Sequence, residues 1–229
     1  MKIHGLLKLT LLDYPTKTAC TLFTAGCNFR CPFCHNGSLV LNKAEEIPQD
    51  EIFTFLKKRQ GLLDGVCITG GEPLLNPDIS EFIKRVRELG YSVKLDTNGS
   101  FPERLISLAE EGLIDYVAMD IKSSPQGYAK AVGIRDFDVS PIDKSIKFLL
   151  SGKVDYEFRT TAVKGLHEIS DFEKIGEWIK GAKRYFIQNY RTSHDILCPD
   201  NLSSFDENEL KTIKKSVSDA VLSVDIRGI

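Results

Sequence analysis

The 229-residue chain has no long hydrophobic run, because Lys, Asp, Glu or Pro cuts every apolar stretch well short of the roughly 18 residues a membrane helix needs. No membrane partner is expected. Charge of one sign is not in excess either: 30 Lys and Arg face 32 Asp and Glu, for a net charge of −2. That balance sets up no overall field toward nucleic acid, which is likewise not an expected partner. Linkers rich in Gly, Ser or Pro, low-complexity tracts and short-period repeats are missing, so residues 1–229 read as one domain. The opening MKIHGLLKLTLLDYP is broken by Lys8 and Asp13 before a signal-peptide core can form. In Thr24-Ala25-Gly26-Cys27 a threonine stands where a lipoprotein cleavage box carries an aliphatic residue. With export signals set aside, six cysteines imply a reducing compartment, the cytoplasm, where clustered thiols bind metal or do chemistry more often than they form disulfides.

What the chain does contain is alternation. β-branched and aromatic runs predict strands at 18–25, 64–69, 92–96, 115–121, 154–161 and 184–189. Helical patterns fall between them at 49–59, 77–89, 102–111, 141–150 and 170–180, and a helix at 206–218 and the run VLSVDI close the chain. Pro77 and Asp78 fit the start of the second helix and Pro102 that of the third, while Ser170 and Glu173 have capping-box spacing. Repeated strand-helix-strand units make this an α/β protein with a parallel sheet, either a partial barrel or an open doubly wound sheet. In both, ligands gather at the carboxyl ends of the strands.

The first predicted strand runs into Gly26-Cys27-Asn28-Phe29-Arg30-Cys31-Pro32-Phe33-Cys34-His35-Asn36, three thiols spaced C-x3-C-x2-C. Three thiolates leave a four-coordinate metal or a four-iron cluster one protein ligand short, the arrangement of a catalytic site with an open position. A zinc knuckle completed by His35 is the competing reading, weakened because adjacent residues such as Cys34 and His35 rarely reach one metal with good geometry. Cys20 and Cys67 sit in apolar strands and read as small buried hydrophobes, and Cys198 stands alone in a loop. His4, His167 and His194 have no local partner and read as structural or surface residues.

With Phe33 before the third cysteine, this segment resembles the signature of the radical S-adenosylmethionine (SAM) superfamily. The resemblance implies a partial (β/α)6 TIM-like barrel, a [4Fe-4S] cluster on Cys27, Cys31 and Cys34, and SAM chelating the fourth iron, with Phe33 near the adenine. Reductive cleavage of the sulfonium would then give a 5'-deoxyadenosyl radical, the cofactor's own chemistry positioned and shielded by protein. Four further segments agree, each at the end of a predicted strand. Thr69-Gly70-Gly71-Glu72-Pro73 resembles the family's GGEP motif, in which glycines let the backbone approach a ligand and a carboxylate receives an ammonium; read alone it is a βα turn. By resemblance, Gly70, Gly71 and Glu72 cradle the methionine amine. Asp96-Thr97-Asn98-Gly99 resembles a segment of the activating enzymes that contacts the cofactor through positions matching Asp96 and Asn98 and, in one branch, helps hold a monovalent cation. Read alone, Asn98-Gly99 is a turn and Asp96 a helix cap. Strand alternation turns Asp120 and Lys122 to one face, where they either pair at a rim or, as in the D-x-K of activating enzymes, serve the cation or methionine end and a carboxylate. Arg159 suits an anionic group, and Gln188 and Arg191 follow the last strand where related activators carry a polar cofactor contact.

The opening Gly5-Leu6-Leu7-Lys8-Leu9-Thr10-Leu11-Leu12-Asp13-Tyr14-Pro15 and the run TLFTAGCNFRCPFCHN resemble glycyl radical enzyme activating proteins, most closely those of anaerobic ribonucleoside-triphosphate reductase. Where those relatives carry Gly after Asp-Tyr-Pro, this chain has Thr16. The resemblance implies hydrogen abstraction from a backbone glycine of a large glycyl radical enzyme, an anaerobic ribonucleotide reductase-like partner, with reduced flavodoxin or ferredoxin as electron donor. Two other readings compete: a radical SAM enzyme acting on a small molecule, similar to 7-carboxy-7-deazaguanine synthase, and a non-catalytic zinc or iron-sulfur binding module.

Overall fold

The computed structural model describes residues 1–228. In chain order it contains β1 (Ile3–Thr10), β2 (Ala19–Thr24), α1 (Gly37–Val40), α2 (Gln49–Arg59), β3 (Gly65–Gly70), α3 (Ile79–Glu88), β4 (Ser92–Thr97), α4 (Pro102–Glu110) and β5 (Tyr116–Asp120). It continues with α5 (Tyr128–Val132), α6 (Ser140–Leu150), β6 (Asp155–Ala162), α7 (Ile169–Trp178), β7 (Tyr185–Asn189), α8 (Glu207–Val217) and β8 (Val224–Arg227). The eight strands form one sheet in sequence order. From β2 to β8 every pairing is parallel, while β1 pairs with β2 antiparallel. All six predicted strands and six predicted helices are present, and the parallel array is that of a partial TIM-like barrel.

β1 escapes the reading because Lys8 and the run of leucines do not alternate cleanly. Leu7 and Leu9 are exposed on this edge strand, and Leu11 and Leu12 just beyond it are more so. Helix starts differ in detail. Asp78 sits at the N-cap of α3 without capping it, because its carboxylate pairs with the Met1 ammonium. At α7 the capping box is Glu168 with Asp171, two residues ahead of the expected Ser170 and Glu173.

Strand alternation explains where the charges go. Val93 and Leu95 on β4, Val66 and Ile68 on β3, and Tyr156 and Phe158 on β6 are wholly or almost wholly buried in the apolar core. The residues between them, Cys67, Lys94, Asp96, Glu157 and Arg159, therefore point to the opposite face, the inner face of the curved sheet. At the amino ends of the strands Tyr14, Ala19 and Tyr116 form a small apolar plug, with the two rings 6.2 Å apart. The carboxyl ends stay open for a site.

Candidate active site

The cysteine loop leaves the end of β2 and is held by backbone from three sides. Gly26 N donates to Leu39 O of α1 at 2.9 Å, and Arg30 N to Val132 O of α5 at 2.8 Å. From the connection after β7, Leu197 N donates to Cys34 O at 3.1 Å and Cys198 N to Pro32 O at 2.9 Å. Cys27, Cys31 and Cys34 are thereby placed on one wall of a cavity of about 270 Å³. Its remaining walls include Gly70 and Gly71, Asp96 and Asn98, Asp120 and Lys122, Arg159, and Gln188, the ends of β3 through β7. Phe33 also lines it, nearly buried, with the ring of His167 edge-on at 6.3 Å.

Burial pushes the Cys27 thiol up to about 11 and the Cys31 thiol up to about 12, and the Lys122 ammonium pulls both back toward the thiolate. Burial acts on Asp96 and Asp120 in the same upward direction, but here the facing cations win. Arg159 and Lys94 hold Asp96, and Arg159 and Lys122 hold Asp120, below the usual carboxylate range. Lys122 Nζ lies 3.0 Å from Asp120 Oδ2, so the two residues share a face as strand alternation requires. Asn98 Nδ2 donates to Asn28 Oδ1 at 3.0 Å and lies 3.9 Å from Cys27 Sγ.

The paired glycines have a backbone reason. Gly70 has φ +121°, and a Cβ there would meet Thr24 O at 2.3 Å. A Cβ on Gly71 would come within 1.9 Å of Gly26 O. The end of β3 thus packs directly on the chain entering the cysteine loop, with Gly71 N donating to Thr24 O at 2.9 Å and Glu72 N to Gly26 O at 2.8 Å. Asn36, at the far end of that loop, donates to Gly70 O at 2.9 Å.

Two of the expected site residues lie outside the cavity wall. Glu72 is fully buried, and its carboxylate accepts from Leu74 N at 3.1 Å, Thr97 Oγ1 at 2.8 Å and Asn98 N at 2.7 Å, tying the ends of β3 and β4 together. Burial raises its pKa to about 7 against the pull of those donors. Arg191 lies beyond the wall; its carbonyl accepts from His35 Nε2 at 2.6 Å and its Nε donates to Gly228 O at 3.3 Å. His35 is therefore turned to the β7 connection, away from the role of a fourth zinc ligand. Among the described residues no three His, Cys, Asp or Glu side chains converge as a single-ion site.

The sequence pattern of the Radical SAM superfamily matches residues 21–179, more than half of the chain. The chain belongs to the radical SAM superfamily. Radical SAM chemistry rests on a [4Fe-4S] cluster and SAM, and the donor set fits them: three thiols on one wall, with His35 Nε2 engaged by the Arg191 carbonyl, and a polar cavity beside them. Over 99% of its length the chain is 33% identical to a Methanocaldococcus jannaschii protein provisionally named a glycyl-radical enzyme activating enzyme, covering 96% of it. It is 29% identical to a 7-carboxy-7-deazaguanine synthase of Thermoplasma acidophilum over 77% of this chain and 86% of that one. SuiB of Streptococcus suis, crystallised bound to SAM, superposes with a TM-score of 0.70 at 16% identity, over 90% of this chain and 49% of SuiB. That likeness shows the radical SAM fold.

Several site residues were not singled out from the sequence. Lys94 lies almost wholly buried under Asp96 and is ion-paired with it, and Cys67 Sγ lies 3.7 Å from Asp96 Oδ1 and 3.8 Å from Lys94 Nζ, so Cys67 is buried beside charges and not among apolar side chains. The i, i+2 rule that paired Asp120 with Lys122 applies equally to Lys94 and Asp96. His167, read as structural, accepts from Val163 N at 3.1 Å through Nδ1 and so donates from Nε2 to Lys122 O at 2.9 Å. It braces the backbone that carries Lys122.

Proposed function

We propose that this radical SAM enzyme removes a hydrogen atom from one backbone glycine of a large glycyl radical enzyme, an anaerobic ribonucleotide reductase-like partner, using electrons from reduced flavodoxin or ferredoxin. The observation that carries this reading is the end-to-end likeness to the provisionally named activating enzyme, which takes in the opening segment, the cysteine loop and all the strand ends. The likeness to the deazaguanine synthase is both shorter and lower in identity.

In this reading Cys27, Cys31 and Cys34 would hold the cluster, leaving one iron for the cofactor. When bound, the pair of cofactors supplies one-electron cleavage of the sulfonium. The chain's own residues bind, orient and shield. Lys122 favours thiolates at Cys27 and Cys31, and with Arg159 it gives the cavity positive charge for the methionine carboxylate. Gly70 and Gly71 would cradle the amine with backbone groups, while Glu72 acts through the strand ends it joins. Phe33 shields the adenine side, Asn98 orients the cofactor beside Cys27, and Gln188 supplies a polar contact from β7. Arg191 supports that side through the His35 bond.

The test is electron paramagnetic resonance of an anaerobic ribonucleotide reductase after oxygen-free incubation with this protein, SAM and reduced flavodoxin. A glycine-centred doublet is expected. Cofactor cleavage without any radical on the reductase, together with formation of a deazaguanine product, would overturn the reading in favour of the small-molecule enzyme.

A further inference from the structure

Five charged side chains form one chain across the inner face at the ends of β4, β5 and β6. Lys94 pairs with Asp96, Asp96 with Arg159, Arg159 with Asp120, and Asp120 with Lys122. Arg159 stands directly across from Asp120 in the parallel register and reaches past β5 to β4. Its Nε lies 2.8 Å from Asp120 Oδ1 and its Nη1 3.1 Å from Asp96 Oδ2. Asp96 Oδ1 is taken by Lys94 Nζ and Asp120 Oδ2 by Lys122 Nζ. Each of the four carboxylate oxygens therefore has a cationic partner, and Arg159 serves two of them.

A monovalent metal ion between Asp96 and Asp120 needs room between their oxygens and surroundings that are not net positive. Neither condition holds. The guanidinium bridges the two carboxylates, and Lys94, Arg159 and Lys122 outnumber Asp96 and Asp120, so a further cation would be repelled. Arg159 is 13% exposed and Asp96 12%, against 27% for Asp120 and 18% for Lys122, so water screens least on the Asp96 side. The planar fork of arginine can bond two carboxylates at once, and unlike a bound ion it stays in place without ions from the buffer.

We propose that Arg159 is the resident cation of this site: its guanidinium takes the place between Asp96 and Asp120 that a monovalent metal would fill, so this chain needs neither K⁺ nor Na⁺. The cation expected from the resemblance thus has no place in the charge pattern. The proposal rests on the radical SAM reading for cofactor binding, but not on any partner enzyme.

Thermal unfolding of the wild type, Arg159→Gln and Arg159→Lys is compared in potassium, sodium and N-methylglucamine chloride at equal ionic strength. SAM affinity is measured in parallel on the reconstituted proteins. Wild type and Arg159→Lys, which keep a cation, are expected to melt at the same temperature in all three salts. Arg159→Gln exposes two facing carboxylates and is expected to melt about 3 °C higher in potassium or sodium than in N-methylglucamine. Its cofactor affinity should recover about tenfold with the metal. A wild type that melts higher or binds the cofactor more tightly in potassium would overturn the proposal, as would a folded Arg159→Gln indifferent to the cation. If the Gln variant does not fold, the wild-type and Lys arms still decide. The melting arm uses neither cofactor nor partner, so it fails separately from the functional reading.

Discussion

Glu72 Oε2 accepts a hydrogen bond from Asn98 N at 2.7 Å, joining the turn after β3 to the turn after β4 beneath the cavity. With its pKa raised from 4.5 to about 7, Glu72 is favoured in the folded state when protonated. Its contribution is fully present below pH 4.5 and is lost as pH rises through about 7. The stability advantage of the wild type over Glu72→Gln should therefore shrink across that window, by about 3 kcal/mol. Urea unfolding of both proteins at several pH values measures it. A difference that stays flat or grows with pH would contradict the placement of Glu72.

Thr16 has φ 62°, a left-handed conformation costly for a β-branched residue. Such a backbone geometry suits Gly. Thr16→Gly should stabilise the protein by about 1 kcal/mol, seen as a higher urea midpoint with an unchanged slope. A lower midpoint would mean that the threonine side chain makes a compensating contact.

Gly71 leaves no room for a side chain against Gly26 O. Gly71→Ala must push the cysteine loop away from β3 and should cost about 3 kcal/mol as well as most of the iron bound on reconstitution. Iron analysis and thermal unfolding check both effects. Full iron content at wild-type stability would show that the two backbones do not pack as described.

Lys94 is a buried ammonium whose removal leaves Asp96 with Arg159 alone. Lys94→Met should lower stability at neutral pH by about 3 kcal/mol, the usual result of removing one partner from a buried ion pair. It should also weaken SAM binding, because the cavity loses its surplus positive charge. Isothermal titration on the reconstituted variant reads that second effect, and unchanged affinity would remove the surplus charge from the account.

The architecture was largely legible because each strand is marked twice, by its β-branched run and by the unusual residues at its carboxyl end. The cysteine loop was legible for a different reason: C-x3-C-x2-C is a spacing that few structural roles require. β1 was not, since leucines on an exposed edge strand do not alternate with polar residues. Lys94 was hidden by its setting, as a lysine inside a strand ordinarily faces solvent and only the inner face of a curved sheet reverses that. Glu72 was legible as a motif residue, but whether its carboxylate faces the cavity or the strand ends depends on packing that Thr97 and Asn98 provide from elsewhere in the chain.

The central claim is a cluster held by Cys27, Cys31 and Cys34 with one iron left to the cofactor. Electron paramagnetic resonance of the anaerobically reduced protein, recorded with and without SAM, tests it most directly. The account predicts a [4Fe-4S]⁺ signal whose shape changes when the cofactor is added, accompanied by 5'-deoxyadenosine, and both lost when any of the three cysteines is changed to Ala but kept in Cys198→Ala. A signal indifferent to the cofactor, with no cleavage product, would contradict it.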